Sequence, residues 1–187
     1  MALMTSFVGR QQELDVLHKA LDYAFEGRGG LCMLVGEAGI GKTGIAREFA
    51  RYACQCGAMA LWGSCLEGDW QRPYGPWIEA LGGYVQAADP GDLRRYLGPK
   101  AATVAQLLPE VRLVFPDTPA PTPLSPDEER FRLYDAAIQF LLSLAKEHCA
   151  VLILDDLHWA DRDSLLLLRY AARFLSRARL LVVGDPM

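Results

Sequence analysis

One octapeptide constrains this chain more than any other feature. Gly36-Glu37-Ala38-Gly39-Ile40-Gly41-Lys42-Thr43 fits the pattern G-x-x-x-x-G-K-[ST] at every fixed position. Glycines let the backbone curl until its N–H groups converge on phosphate oxygens. The helix that follows, Gly44 included, adds its positive N-terminal end. Lys42 supplies a point charge for β- and γ-phosphates, and the Thr43 hydroxyl is a magnesium ligand. The pattern carries weight only between a strand and a helix. Here Leu31-Cys32-Met33-Leu34-Val35 precedes it, a short apolar run of the kind that forms a strand buried on both faces. Ile45, Ala46, Phe49, Ala50 and Ala53 follow at helical spacing.

The rest of the chain repeats that alternation. A first helix is expected from about Arg10 to Glu26, with Leu14, Leu17, Leu21, Ala24 and Phe25 on one face. Ala58–Trp62 reads as a second strand, Val151–Leu154 as a third and Leu180–Val183 as a fourth. Between the second and third strands, residues 63–126 form an insertion. Short helices are expected near 76–86, 91–97 and 100–108; six of the 11 prolines lie between Pro109 and Pro126, and Pro116, Pro119, Pro121, Pro123 and Pro126 make an extended surface linker. Ser125-Pro126-Asp127-Glu128 is a capping box with proline at the first helical position. Its helix should reach about His148 and bury Phe131, Tyr134, Ile138, Leu141, Leu142 and Ala145. Asp161 can cap a further helix that buries Leu165, Leu168, Ala172 and Leu175. Strands separated by helices imply a parallel sheet with right-handed crossovers, and the ligand belongs at the carboxyl ends of its strands. The 187 residues make about one domain of this α/β class.

The second half of a nucleotide site is legible at the end of the third strand. Asp155 stands where such proteins hold magnesium through water. Asp156, one residue further, can polarise an attacking water as general base, or is an ordinary strand-end carboxylate.

With both motifs placed, the chain resembles the signal-transduction ATPases with numerous domains. It is most similar to the ATPase module of large LuxR-type transcription regulators. The resemblance rests on Phe7-Val8-Gly9-Arg10 with Glu13-Leu14, on Gly36–Thr43, and on Leu154-Asp155-Asp156-Leu157-His158-Trp159-Ala160-Asp161. It implies a P-loop NTPase fold of the AAA-like kind, ATP or ADP with Mg2+ as cofactors, and a slow ATPase acting as a switch. By the same resemblance Val8, Gly9 and Arg10 become nucleotide contacts, Arg10 being otherwise a solvated residue of the first helical turn. His158 either senses the γ-phosphate or packs the loop, and Trp159 packs. Trp70, Tyr74 and Trp77 belong to a local core rather than a partner surface.

The sequence departs from that family at Gly184-Asp185-Pro186-Met187. Asp185 stands where an uncharged or basic residue is expected near the γ-phosphate, and a carboxylate there would repel it. The family's fifth strand, lid and DNA-binding domain have no counterpart, so a fragment of a longer protein is expected. Its first strand would then lie at the sheet edge. Two other readings stay open: a small P-loop kinase, and an interaction scaffold with a vestigial site. The kinase reading lacks lid arginines, since residues 63–126 hold only Arg72, Arg94, Arg95 and Arg112.

Charge and composition narrow the partners. A net charge of −4 argues against direct nucleic-acid binding, and Arg169, Arg173, Arg177 and Arg179 are expected on a solvated surface. The sequence contains no guanine-reading N-K-x-D motif, which favours adenine. With no apolar run of 18 residues, no membrane span is expected. Five cysteines at irregular spacing read as reduced cytoplasmic thiols.

Overall fold

In a computed structural model of the chain, residues 11–37, 39–68 and 72–186 are described. Four parallel strands form one sheet in the order β1-β4-β3-β2: β1 Gly30–Met33, β2 Met59–Ser64, β3 Ala150–Asp155 and β4 Leu180–Gly184. All the pairings are parallel, so every connection is a crossover. The α/β class expected from the alternating pattern is what forms, and β1 does lie at the edge.

Side-chain alternation in the two central strands explains their continuous apolar sequence. Val151, Ile153, Leu181 and Val183 face one core with α1 (Gln11–Phe25) and α2 (Lys42–Gln55). Ala150, Leu152, Leu154, Leu180 and Val182 face the other, with α3 (Gly75–Ala87), α7 (Pro126–Glu147) and α8 (Arg162–Leu175). Helices on both faces remove any need for polar residues in β3 and β4, every residue of which is buried.

The edge strand departs from expectation. Cys32 and Leu34 join the first core, but Leu31 and Met33 remain 39% and 43% exposed and Val35 76%. The apolar run 31–35 is therefore buried on one face only, because the helices of the second core do not extend fully over the edge.

The insertion is more helical than its prolines suggest. It holds α3, α4 (Pro90–Leu97), a single 3-10 turn (Gly98–Lys100), α5 (Ala101–Leu107) and α6 (Glu110–Val114). α6 lies between the last expected helix and the linker, in a stretch for which no element is expected. Pro109 precedes it as N-cap, where a missing N–H costs nothing, and Val111 and Phe115 are buried. Trp77 is fully buried and Tyr74 packs against the same core, while Trp70 lies outside the described residues.

α7 starts as expected. Ser125 N donates to Glu128 Oε2 at 3.1 Å, and the Ser125 hydroxyl donates to the same oxygen at 2.6 Å. Two buried faces are corrected. Phe131 is 59% exposed and meets Tyr170 edge to face instead of entering the core. α8 buries Ser164, Leu167, Leu168, Ala171 and Leu175, leaving Leu165 and Ala172 exposed. Four successive leucines, 165–168, make several faces equally apolar, and packing against the sheet selects one.

Candidate functional site

The octapeptide connects β1 to α2 at the carboxyl end of the sheet. Gly39 (φ 77°) and Gly41 (φ 94°) adopt left-handed backbone that a side chain would strain. Ile45 N donates to Gly41 O at 3.1 Å, so the amides of Lys42, Thr43 and Gly44 precede the first bond of the helix. Ala38 lies outside the described residues, as do Val8, Gly9 and Arg10. Glu37 and Ile40 are exposed on the loop, and Gly36 and Gly44 are half-buried.

Lys42 is buried. Its ammonium donates to Gly36 O at 2.9 Å and Glu37 O at 3.2 Å, which curls the loop around its own lysine. Thr43 Oγ1 donates to Asp155 Oδ1 at 3.2 Å. The two motifs, far apart in sequence, thus meet at hydrogen-bond distance. Asp155 is 4% exposed, and burial pushes its carboxyl above the usual carboxylate range, the neighbouring Asp156 charge adding to the effect. The Thr43 hydroxyl opposes that shift.

Asp156 sits just past the end of β3 with φ 56°, a left-handed conformation that aspartate tolerates better than most residues. Beyond it Leu157–Trp159 form one 3-10 turn. Leu157 N donates to Asp185 O at 2.7 Å, and Asp185 N donates to Leu154 O at 3.1 Å. The strand-end loops of β3 and β4 are therefore laced together.

Asp185 is the residue whose place could not be read locally. Its Oδ1 lies 3.6 Å from Lys42 Nζ, in an ion pair that is buried on both sides. Burial raises the Asp185 carboxyl, and the Lys42 charge lowers it in part. Gly39, Gly41, Lys42, Thr43, Asp156, His158 and Asp185 line one cavity of about 330 Å³. His158 is exposed at that cavity, while Trp159 lines a separate hollow of about 490 Å³ beside Cys65 and Asp161. Asp161 caps α8, its Oδ1 accepting from Ser164 N at 2.9 Å. Arg169 and Arg173 of α8, and Arg177 just beyond it, are exposed.

The donor set fits a hard divalent cation. One hydroxyl and three carboxylates offer oxygen only, and Asp155, Asp156 and Asp185 each present an oxygen within 4.8 Å of the others.

A parallel sheet with helices on both faces, a glycine loop opening a helix at its carboxyl edge, and an acidic strand end beside that loop define a nucleotide-binding P-loop protein. Residues 6–183 match the family model described as AAA ATPase domain, and the chain belongs to that family. It is also similar to an uncharacterized protein of Rhizobium meliloti (strain 1021), 27% identical over 189 residues. That alignment covers 94% of this chain but 18% of the relative, so the chain spans less than a fifth of that protein's length. Among the described residues, no helix is long and apolar enough to cross a membrane.

Proposed function

We propose that the chain is a single Mg-ATP-binding module that hydrolyses ATP slowly and serves as a switch in a larger cytoplasmic signalling or transcription-regulatory protein. The observation that carries this reading is the Thr43–Asp155 hydrogen bond beside the buried Lys42. It joins a hydroxyl suited to magnesium to an acidic strand end, beside an ammonium suited to phosphate. In this reading the loop from Gly36 to Gly44 holds the phosphates through backbone N–H groups, and Lys42 holds the terminal bridge. Thr43 and Asp155 hold Mg2+, which when bound neutralises phosphate charge. Asp156 orients water as general base. Adenine and ribose contacts fall to Val8, Gly9 and Arg10.

Slow turnover follows from the lining. Among the described residues that line the cavity there is no arginine to neutralise developing charge. That also speaks against a small kinase. Arg94 pairs with Asp117 and Arg112 donates to Thr118 O within the insertion, and Arg95 pairs with Glu147 of α7, so these three arginines are engaged away from the cavity. The free cysteines agree with a reducing compartment. The chain's small share of its relative leaves room for sensing and output domains elsewhere in a parent protein.

Calorimetric titration with ATP and ADP in magnesium tests the reading. Micromolar binding that disappears in Lys42→Ala is the expected result. A folded sample that binds neither nucleotide would overturn it.

A further inference from the structure

We propose that Asp185 is a specificity-determining residue that makes this site select nucleoside diphosphates over triphosphates. The inference rests on the reading of the glycine loop as a nucleotide site and adds a preference to it.

Asp185 is 4% exposed, yet its Oδ1 accepts no hydrogen bond. A buried carboxylate oxygen without a donor is costly, and it persists here because the backbone holds it in place. Asp185 N is bound to Leu154 O, and Asp185 O accepts from Leu157 N. With both backbone groups pinned, the side chain cannot withdraw by a loop movement that leaves the strand ends intact. It lines the phosphate cavity together with Gly39, Gly41, Lys42 and Thr43.

Charge decides what such a cavity accepts. Lys42 is the only lysine or arginine among its described lining residues, against the carboxylates of Asp156 and Asp185, with Asp155 adjoining. A β-phosphate is held by loop amides and does not depend on Lys42 alone. A γ-phosphate extends past the loop toward the strand ends. There it must share the Lys42 ammonium with Asp185, 3.6 Å away, and must approach a carboxylate whose backbone is pinned on both sides. A phosphate that shares Lys42 with Asp185 brings two like charges together at a carboxylate that is itself buried, where screening by water is weak and repulsion is strong. The diphosphate stops short of that contact. Asp185 therefore penalises the third phosphate specifically.

The test is calorimetry on the whole chain at fixed magnesium, with ADP and a non-hydrolysable ATP analogue carrying a methylene β–γ bridge. The wild type should bind ADP at least tenfold tighter than the analogue. Asp185→Asn, which keeps the shape and removes the charge, should narrow that ratio at least tenfold, mainly by tightening the analogue. Asp185→Ser serves as a second variant, and thermal unfolding establishes that each is folded. A ratio unchanged in both folded variants would refute the proposal. So would weaker binding of the analogue in Asp185→Asn, which would make the carboxylate a magnesium ligand that recruits the triphosphate. A folded wild type that binds neither compound would instead remove the nucleotide-site reading beneath it.

Discussion

Replacing Asp161 by alanine should cost more than an ordinary helix cap. Asp161 Oδ1 accepts from Ser164 N at 2.9 Å, which is the cap of α8. Its Oδ2 accepts from the Ser164 hydroxyl and, at 3.2 Å, from Tyr74 N. Tyr74 is the N-cap of α3 and holds φ 64°, so the same carboxylate ties down a left-handed residue of the insertion. Loss of an N-cap costs about 1 kcal/mol. Leaving the Tyr74 N–H and the buried Ser164 hydroxyl without acceptors adds about 1–3 kcal/mol. The sum is about 2–4 kcal/mol, or a fall in Tm of roughly 5–15 °C for a chain of this size. Asp161→Asn keeps one acceptor oxygen for the cap but turns an amide donor toward Tyr74 N–H, so it should recover about 1 kcal/mol, the cap alone, and still lose about 1–3 kcal/mol. Urea unfolding followed by tryptophan fluorescence is suited to this, because Trp77 Nε1 donates to Ser164 O at 3.2 Å and senses the same residue. If Asp161→Ala unfolds within about 0.5 kcal/mol of wild type, or Asp161→Asn is as stable as wild type, the cross-linking argument fails.

Gly63→Ala should destabilise the protein by about 3 kcal/mol or more, because its Cβ would lie 1.8 Å from Pro76 O, which is backbone and cannot step aside; chemical denaturation measures this, and a near-neutral result would mean α3 can lift from the sheet. Asp155 and Asp185 both titrate above the usual carboxylate range when folded, chiefly through burial. The folded state then binds protons more tightly than the unfolded one, so their contribution to stability grows as pH falls through the raised folded values toward about 4 and is smallest at neutral pH. Asp155→Asn or Asp185→Asn should therefore raise the nucleotide-free urea midpoint more at pH 7.5 than at pH 4.5, and an equal effect at both would contradict this. Thiol labelling at pH 8 should modify exposed Cys54 and Cys56 quickly, while Cys65, buried with its thiol pushed up to about 12 chiefly by burial, should react only on unfolding.

What the sequence reveals here is whatever depends on neighbours along the chain. The glycine loop is legible because left-handed backbone at Gly39 and Gly41 is a local requirement, and the Ser125–Glu128 capping box because its partners are three residues apart. Apolar runs locate β3 and β4 because both faces are covered. What fails is what depends on distant packing. Leu31 and Met33 look like core but lie at an edge. The face of α8 is undetermined by a run of four leucines. α6 is masked by prolines, one of which caps it. Asp185 is visible as a misfit at its position, but no local pattern says that its carboxylate reaches Lys42.

Sheet register explains why that contact arises. β3 and β4 pair with Leu154 opposite Gly184, so the next residues, Asp155 and Asp185, emerge at the same level of adjacent strands. β4 also pairs with β1, Met33 opposite Gly184, and the loop that leaves β1 carries Lys42 back over that level. One strand, β4, thus stands between the phosphate loop and the acidic strand end, and whatever residue ends it faces both. A slip of one residue in β4 would turn Asp185 to the opposite face and remove it from the cavity. The character of this site is therefore fixed as much by where β4 stops as by the loop motif.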